Sequence, residues 1–213
     1  GCMMRSSPGP RIAMTELLLA SNNEHKRREF TRLFPGVRIL EPRDVGVSFD
    51  FPEDGQTFFA NAHGKAAELQ RLAGRPVIAD DSGLCVDALG GEPGIYSARY
   101  GSAQGAPVLD APTRNRFLLE RMNGITGRAA HFVCCLVLLL GKDRFLVTQE
   151  TVEGTITHEP RGLNGFGYDP LFLLPALGLT MAEIPDADKD RLSHRGRAAR
   201  SMRGLLAAEA DLG

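Results

Sequence analysis

Three features of the sequence predict an α/β chain built on one mixed β-sheet. Short apolar runs at residues 17–20, 37–40 and 77–79 are separated by helical periodicities, the pattern of parallel strands joined by crossover helices. Two longer β-rich runs, residues 131–140 and 145–156, flank Gly141-Lys142-Asp143-Arg144 and predict an antiparallel hairpin. The chain has 213 residues, 43% of them hydrophobic. At that length roughly 70% of the extended surface is buried on folding, so a core closes without disulfide or metal.

The elements follow in order. Leu17-Leu18-Leu19-Ala20 reads as a buried strand feeding a helix, because Ser21-Asn22-Asn23 is capping chemistry. That helix carries Phe30, Leu33 and Phe34 on one face, and Lys26, Arg27, Arg28 and Glu29 in its first turns. A second strand at 37–40 is followed by a Pro- and Asp-bearing loop to Gly55. Over 57–73, Phe58, Ala62, Ala66, Leu69 and Leu72 trace a helical stripe that leaves Lys65 and Glu68 outside it. The third strand is expected to stop abruptly at Asp80-Asp81-Ser82-Gly83. Residues 87–94 read as turns and 113–123 as an amphipathic helix on Phe117, Leu118 and Met122. After the hairpin, Gly162, Gly165 and Gly167 crowd ahead of a short strand at 171–174, and helices are expected after Asp186 and after Ser193.

Composition limits the function. With 25 Lys plus Arg against 26 Asp plus Glu, the net charge of −1 argues against a nucleic-acid polymer or an anionic membrane as partner. The longest apolar run, 132–140, is far shorter than the roughly 20 residues of a membrane-crossing helix. The four cysteines form no spaced metal or disulfide set, and adjacent Cys134 and Cys135 are expected on opposite sides of a strand, so a reducing cytoplasm is the expected compartment. Residues 1–15 lack the apolar core of a secretory signal and are expected to be a disordered N-terminal extension, with 16–213 a single domain.

Four clusters could carry chemistry. Ser21-Asn22-Asn23-Glu24-His25-Lys26 is a strand-to-helix turn that offers amides, hydroxyl and lysine to a phosphate, or simply caps its helix. Glu53 with Asp80 and Asp81 supplies hard oxygen donors suited to Mg²⁺, although adjacent acids can also cap a turn. Gly165-Phe166-Gly167-Tyr168-Asp169-Pro170 lets backbone approach a flat ligand beside a stacking ring, or forms a structural turn. Lys189 with Ser193-His194-Arg195 puts cations at a helix start, where they are misplaced unless an anion or polar acceptor is near; the alternative is a solvated basic face with Arg197, Arg200 and Arg203.

Taken together, these blocks resemble the non-canonical purine nucleoside triphosphate pyrophosphatases, also known as inosine triphosphate or dITP/XTP pyrophosphatases. The resemblance is carried by Ala20-Ser21-Asn22-Asn23 with Lys26 and Glu29, residues 53–58 with Asn61-Ala62 and Lys65-Ala66, Ala79-Asp80-Asp81-Ser82-Gly83-Leu84, residues 93–100, residues 165–170, Ala182-Glu183 and Ser193-His194-Arg195. It implies an elongated central mixed sheet flanked by helices, two lobes with a cleft between them, a homodimer, and Mg²⁺-dependent hydrolysis of ITP, dITP or XTP to monophosphate and pyrophosphate, cleansing the nucleotide pool.

Residue by residue it implies Ser21 to Lys26 as the phosphate loop, Lys65 as a further phosphate contact, Glu53 and Asp81 as metal ligands, Asp81 as proton acceptor and Ser82 beside it at the substrate. Phe166, Gly167, Tyr168, Asp169, Lys189, His194 and Arg195 match nucleotide- and base-binding positions. Ala60 and Leu179 depart from the family's usual acid and base at those places. A binding protein that keeps the fold without turnover is the rival, and intact Glu53, Asp81, Lys26 and Lys65 argue against it.

Overall fold

The computed structural model describes residues 14–211, so most of the expected N-terminal extension, and Cys2 with it, lies outside the described residues. Seven strands form one sheet in the order β2-β1-β3-β4-β5-β6-β7. β1 (Glu16–Leu19) pairs in parallel with β2 (Arg38–Leu40) and with β3 (Val77–Val86). From β3 onward, through β4 (Ala129–Gly141), β5 (Arg144–Ile156), β6 (Phe172–Leu174) and β7 (Leu179–Thr180), every pairing is antiparallel. The sheet is therefore mixed for the reason expected: crossover helices impose parallel pairing early and a tight turn imposes antiparallel pairing later. The short β7 was not foreseen. β4 and β5 have 13 residues each, about 40 Å at the usual rise, which makes the sheet long.

The expected stop at Asp80 is wrong. β3 continues to Val86, with Asp80 and Asp81 opposite Leu136 and Cys135 of β4. Two carboxylates read as a turn because they are rarely buried unpaired. Here the β4 backbone completes the ladder, and cations from three helices neutralise the acids.

Helices cover both faces. α1 (Glu24–Leu33) and α5 (His194–Asp211) pack Phe30, Leu33, Ala198 and Met202 against Leu17, Leu19, Ile78 and Cys134. α2 (Phe58–Ala73) packs Ala62, Ala66 and Leu69 against Leu18, Val77, Ala79 and Cys135 on the opposite face. The two adjacent cysteines thus serve two different cores, as the period-2 alternation of a strand requires. Along α2 the buried stripe is rotated from the expected one: Leu72 is 42% exposed, whereas Asn61 and Lys65 are buried.

A third core lies at the far end of the hairpin, where α3 (Ala111–Arg121) brings Leu118, followed by Met122, against Leu84, Phe132, Tyr168 and Phe172. The first two cores make one lobe and the third makes the other. Short α4 (Asp186–Leu192) leads into α5, whose first turn is capped by Ser193 Oγ accepting the Gly196 amide at 3.0 Å.

Candidate active site

Between the lobes lies a cleft of about 480 Å³. Ser21, Asn22, Asn23, Lys26, Glu53, Lys65, Ser82, Phe166, Gly167, Tyr168, Asp169, Lys189, His194 and Arg195 all line it. Residues from four separate blocks of sequence are thereby brought to one place. Three expected site residues do not line it. The Glu24 carboxylate turns to Arg27 and Arg28, at 2.7 and 3.3 Å. His25 stacks on the Phe166 ring, with centroids 5.1 Å apart. Asp81 sits behind Lys65, 4% exposed.

The α1 turn forms because Asn23 Oδ1 accepts the amides of His25 and Lys26 at 2.9 and 3.2 Å, and Ser21 Oγ accepts that of Asn23 at 3.0 Å. Three of the amides that an incoming anion could use are therefore satisfied internally. What the turn still offers is Lys26.

Because adjacent strand residues point to opposite faces, Asp80 and Asp81 enter different environments. Asp80, on the α1/α5 face, is 1% exposed. Lys26 Nζ lies 2.6 Å from its Oδ1, and Arg195 Nε and Cys134 Sγ each donate to Oδ2 at 3.0 Å. Burial pushes the Asp80 carboxyl up, but Arg195 and Lys26 outweigh it and hold it well below the ordinary value.

Arg195 Nη1 continues to Glu29 Oε2 at 2.6 Å, Glu29 Oε1 meets Lys189, and Lys189 Nζ donates to Asp169 Oδ2 at 2.7 Å. Asp169 Oδ2 in turn accepts the Phe166 amide at 2.9 Å. Burial opposes ionisation of Glu29, yet Arg195 and Lys189 bring its carboxyl down to about 2. This is an unbroken chain of alternating charge, Lys26-Asp80-Arg195-Glu29-Lys189-Asp169, running from the α1 turn to the Phe166-Asp169 loop. The cations judged misplaced at helix starts are answered by protein carboxylates. Glu29 is the member that sequence reasoning left without a role, and Asp80, read there as a hard donor suited to Mg²⁺, is instead taken up by Lys26 and Arg195; an acid three residues after Lys26 in a basic turn was the available signal for Glu29.

Gly165 serves this chain too. Its φ is +70°, and a Cβ there would lie 2.0 Å from Asp169 Oδ2, so the glycine admits the carboxylate rather than a ligand. Gly83 is likewise obligatory: a Cβ would come within 2.3 Å of the Gly94 carbonyl in the 3-10 turn Gly94–Arg99.

On the α2 face, Lys65 Nζ donates to Glu53 Oε1 and, at 2.6 Å, to the Asp80 carbonyl, and lies 3.9 Å from Asp81 Oδ1. Asn61 Nδ2 donates to Asp81 Oδ2 at 3.1 Å. Burial lifts the Asp81 carboxyl to about 6, with Lys65 opposing and Glu53 adding to the rise. Two carboxylates thus share one ammonium, and their oxygens converge on a point already held by a cation. That donor set fits a hard divalent ion that takes one or two carboxylates and completes its shell with water and phosphate oxygens. Among the described residues no group of three His, Cys, Asp or Glu stands together, so an all-protein cage is not what this site offers.

His194 is 5% exposed and stacks on Phe132, with centroids 4.5 Å apart; its Nδ1 has no partner. Burial, with Arg195 adding, brings its imidazole down to about 3, so it is neutral. Phe49, Phe51 and Arg114 also line the cleft and were missed, since nothing in their local sequence sets them apart from loop and helix-surface residues.

The Ham1 family model matches residues 17–205. A dITP/XTP pyrophosphatase of Treponema denticola is 49% identical over 187 residues, covering 88% of this chain and 96% of that protein. One from Burkholderia mallei is 42% identical over 204 residues, covering 94% and 96%. Among solved structures, a Ham1 protein of Staphylococcus aureus superposes with a TM-score of 0.79 at 38% identity, covering 91% of this chain and 99% of that one. A HAM1 protein of Coxiella burnetii does so at 0.81 and 35%, covering 92% and 100%. With the family model spanning most of the sequence and relatives of matching length on both counts, the chain belongs to the Ham1 family.

Proposed function

We propose that this chain hydrolyses non-canonical purine nucleoside triphosphates (ITP, dITP and XTP) to the monophosphate and pyrophosphate, with Mg²⁺ held by Glu53 and Asp81. The observation that carries the proposal is the polarity of the cleft. One end gathers Lys26, Lys65 and Glu53, with Asp81 behind Lys65, which suits a metal-bound triphosphate; the other gathers Phe166, Lys189 and a neutral histidine, which suits a flat polar base. Relatives bearing the name dITP/XTP pyrophosphatase support the same substrate class.

The chemistry Mg²⁺ supplies when bound is neutralisation of the leaving pyrophosphate and polarisation of a water. Lys26 and Lys65 offset charge on the tail; the Lys26 side chain, 16% exposed, keeps Asp80 on one side while facing the cleft. Asp81 takes the proton of the attacking water. A carboxyl raised to about 6 is largely ionised at neutral pH and more basic than an ordinary aspartate, and a bound cation lowers that value. Asn61 orients the carboxylate through its amide.

At the base end, Arg195 donates to Asp80, Glu29 and Ser82, and Lys189 to Glu29 and Asp169. A remaining donor is the ring N–H of the neutral His194 imidazole, which lines the cleft. It meets the 6-oxo acceptor of hypoxanthine or xanthine, whereas the 6-amino group of adenine would face it donor to donor. The same proposal takes a homodimer as the assembly and the cytoplasm as the compartment; free Cys85, Cys134 and Cys135 fit a reducing environment.

Incubation with ITP, XTP and ATP in Mg²⁺, followed by product analysis, tests the proposal. Pyrophosphate is expected from ITP and XTP and far less from ATP. No product from any nucleotide would leave a binding module, and orthophosphate as the direct product would indicate a phosphatase.

A further inference from the structure

Charge pairing across the cleft singles out one residue that no motif nominated. Among the described residues, five cations line it. Lys26 has Asp80, Lys65 has Glu53, Lys189 has Glu29 and Asp169, and Arg195 has Asp80 and Glu29. The fifth, Arg114 of α3, has no carboxylate within 4.0 Å.

Its guanidinium is nevertheless held in place. Nη1 donates to the Ala98 carbonyl at 2.8 Å and to the Leu109 carbonyl at 3.2 Å, and the group lies 5.4 Å from the centroid of the Tyr168 ring. Its Nε is buried without a partner. A guanidinium fixed by two carbonyls and an aromatic face, with no carboxylate paired to it, is preorganised for an anion.

The position says which part of a nucleotide it meets. Arg114 grips Ala98 in the 3-10 turn Gly94–Arg99, and the next residue, Arg99, donates from Nη2 to the Glu53 carbonyl at 2.8 Å. Arg114 is therefore tied through one short turn to the segment carrying Glu53, while its guanidinium lies against Tyr168 of the loop that carries Phe166, so it stands between the two ends of the cleft. It also belongs to the α3 lobe, across from the α1 turn.

We propose that Arg114 is a further substrate-binding residue, which contacts phosphate oxygens of the triphosphate from the α3 lobe while Lys26 contacts them from the α1 lobe. This rests on the nucleotide reading above and deepens it. To reach phosphate, Lys26 must share or leave Asp80, but Arg114 has no carboxylate to give up.

The test uses inorganic tripolyphosphate and the neutral nucleoside inosine as separate probes, each titrated against the full chain in Mg²⁺, with thermal unfolding recorded for every variant. Removal of a charge-assisted contact in Arg114→Gln is expected to weaken tripolyphosphate about 10-fold or more while inosine affinity stays within about twofold. Arg114→Lys keeps the charge but not the twin carbonyl grip, and is expected to recover part of the loss. Unchanged tripolyphosphate affinity in Arg114→Gln overturns the proposal, and so does equal weakening of both probes together with a lowered unfolding midpoint. The nucleotide reading fails separately, if the wild-type chain releases no pyrophosphate from ITP; tripolyphosphate binding that depends on Arg114 would still support an anion contact there.

Discussion

Asp80 and Asp81 are neighbours in sequence and belong to opposite faces of one strand. On the α1/α5 face, three cations (Lys26, Arg195, Lys189) meet three carboxylates (Asp80, Glu29, Asp169), all within one buried chain. On the α2 face, Glu53 and Asp81 meet Lys65 alone. A balanced cluster is complete without a ligand, and its consequence is rigidity and geometry. A cluster with surplus negative charge is left to be completed by a cation, and this is the basis of the proposed chemistry. Alternation along a single strand separates the two roles by one residue.

The largest expected effect breaks the balanced face. Asp80→Asn leaves Arg195 and Lys26 facing a neutral amide in a buried site, and loss of one partner from such a network costs roughly 3–5 kcal/mol. Chemical denaturation of the variant beside wild type measures it; a change below about 1 kcal/mol would mean that the network contributes little.

The surplus face responds differently. Asp81→Asn is expected to cut turnover of ITP by at least about 100-fold, the usual scale for a general base, while nucleotide binding remains measurable. Single-turnover kinetics with parallel binding titration separates the two, and near-normal turnover would remove Asp81 from the mechanism.

A smaller effect appears with pH. His194 takes up a proton only near pH 3 in the folded chain but near its ordinary 6.5 when unfolded. As pH falls through that interval the unfolded state binds the proton that the folded state refuses, so stability declines, by up to about 1.4 kcal/mol per pH unit. Glu29, with its carboxyl brought down to about 2, adds in the same direction below its ordinary 4.5. Asp81, lifted to about 6, acts in the opposite sense. The difference between wild type and His194→Phe therefore isolates the histidine: the variant is expected to lose less stability between pH 6.5 and 4.5, and equal slopes would contradict a neutral buried His194.

The smallest effect compares the two cysteines. Cys134 donates to Asp80, whereas Cys135 faces the apolar α2 core. Cys134→Ser keeps a donor on the carboxylate, and Cys135→Ser buries a hydroxyl that finds no carboxylate, so the second is expected to be the more destabilising by roughly 1 kcal/mol. Thermal unfolding of both decides it.

Much of this architecture is legible in the chain because period and turn chemistry are local. The crossover helices, the hairpin through Lys142-Asp143, the Asn23 and Ser193 caps and the separation of Cys134 from Cys135 all follow from neighbours a few residues apart. What was not legible depends on distant partners. Asp80-Asp81 read as the end of a strand because Lys26, Lys65 and Arg195, which allow the strand to run on, come from three other elements. Lys65 fell outside an apolar stripe and is buried because the cleft, not solvent, lies on that side of α2. Glu29 and Arg114 acquire meaning only once the charges around them are paired off. The same holds for His25, which braces the Phe166 ring from outside the cleft.

The central claim is that the face with surplus negative charge takes a divalent cation and carries out nucleotide hydrolysis. The most direct measurement is the time course of product release from ITP, first with a metal chelator and then after Mg²⁺ is restored in excess. The expected result is no release with chelator, and with Mg²⁺ one pyrophosphate for each monophosphate formed. Turnover that persists in chelator, or orthophosphate as the first product, would contradict it.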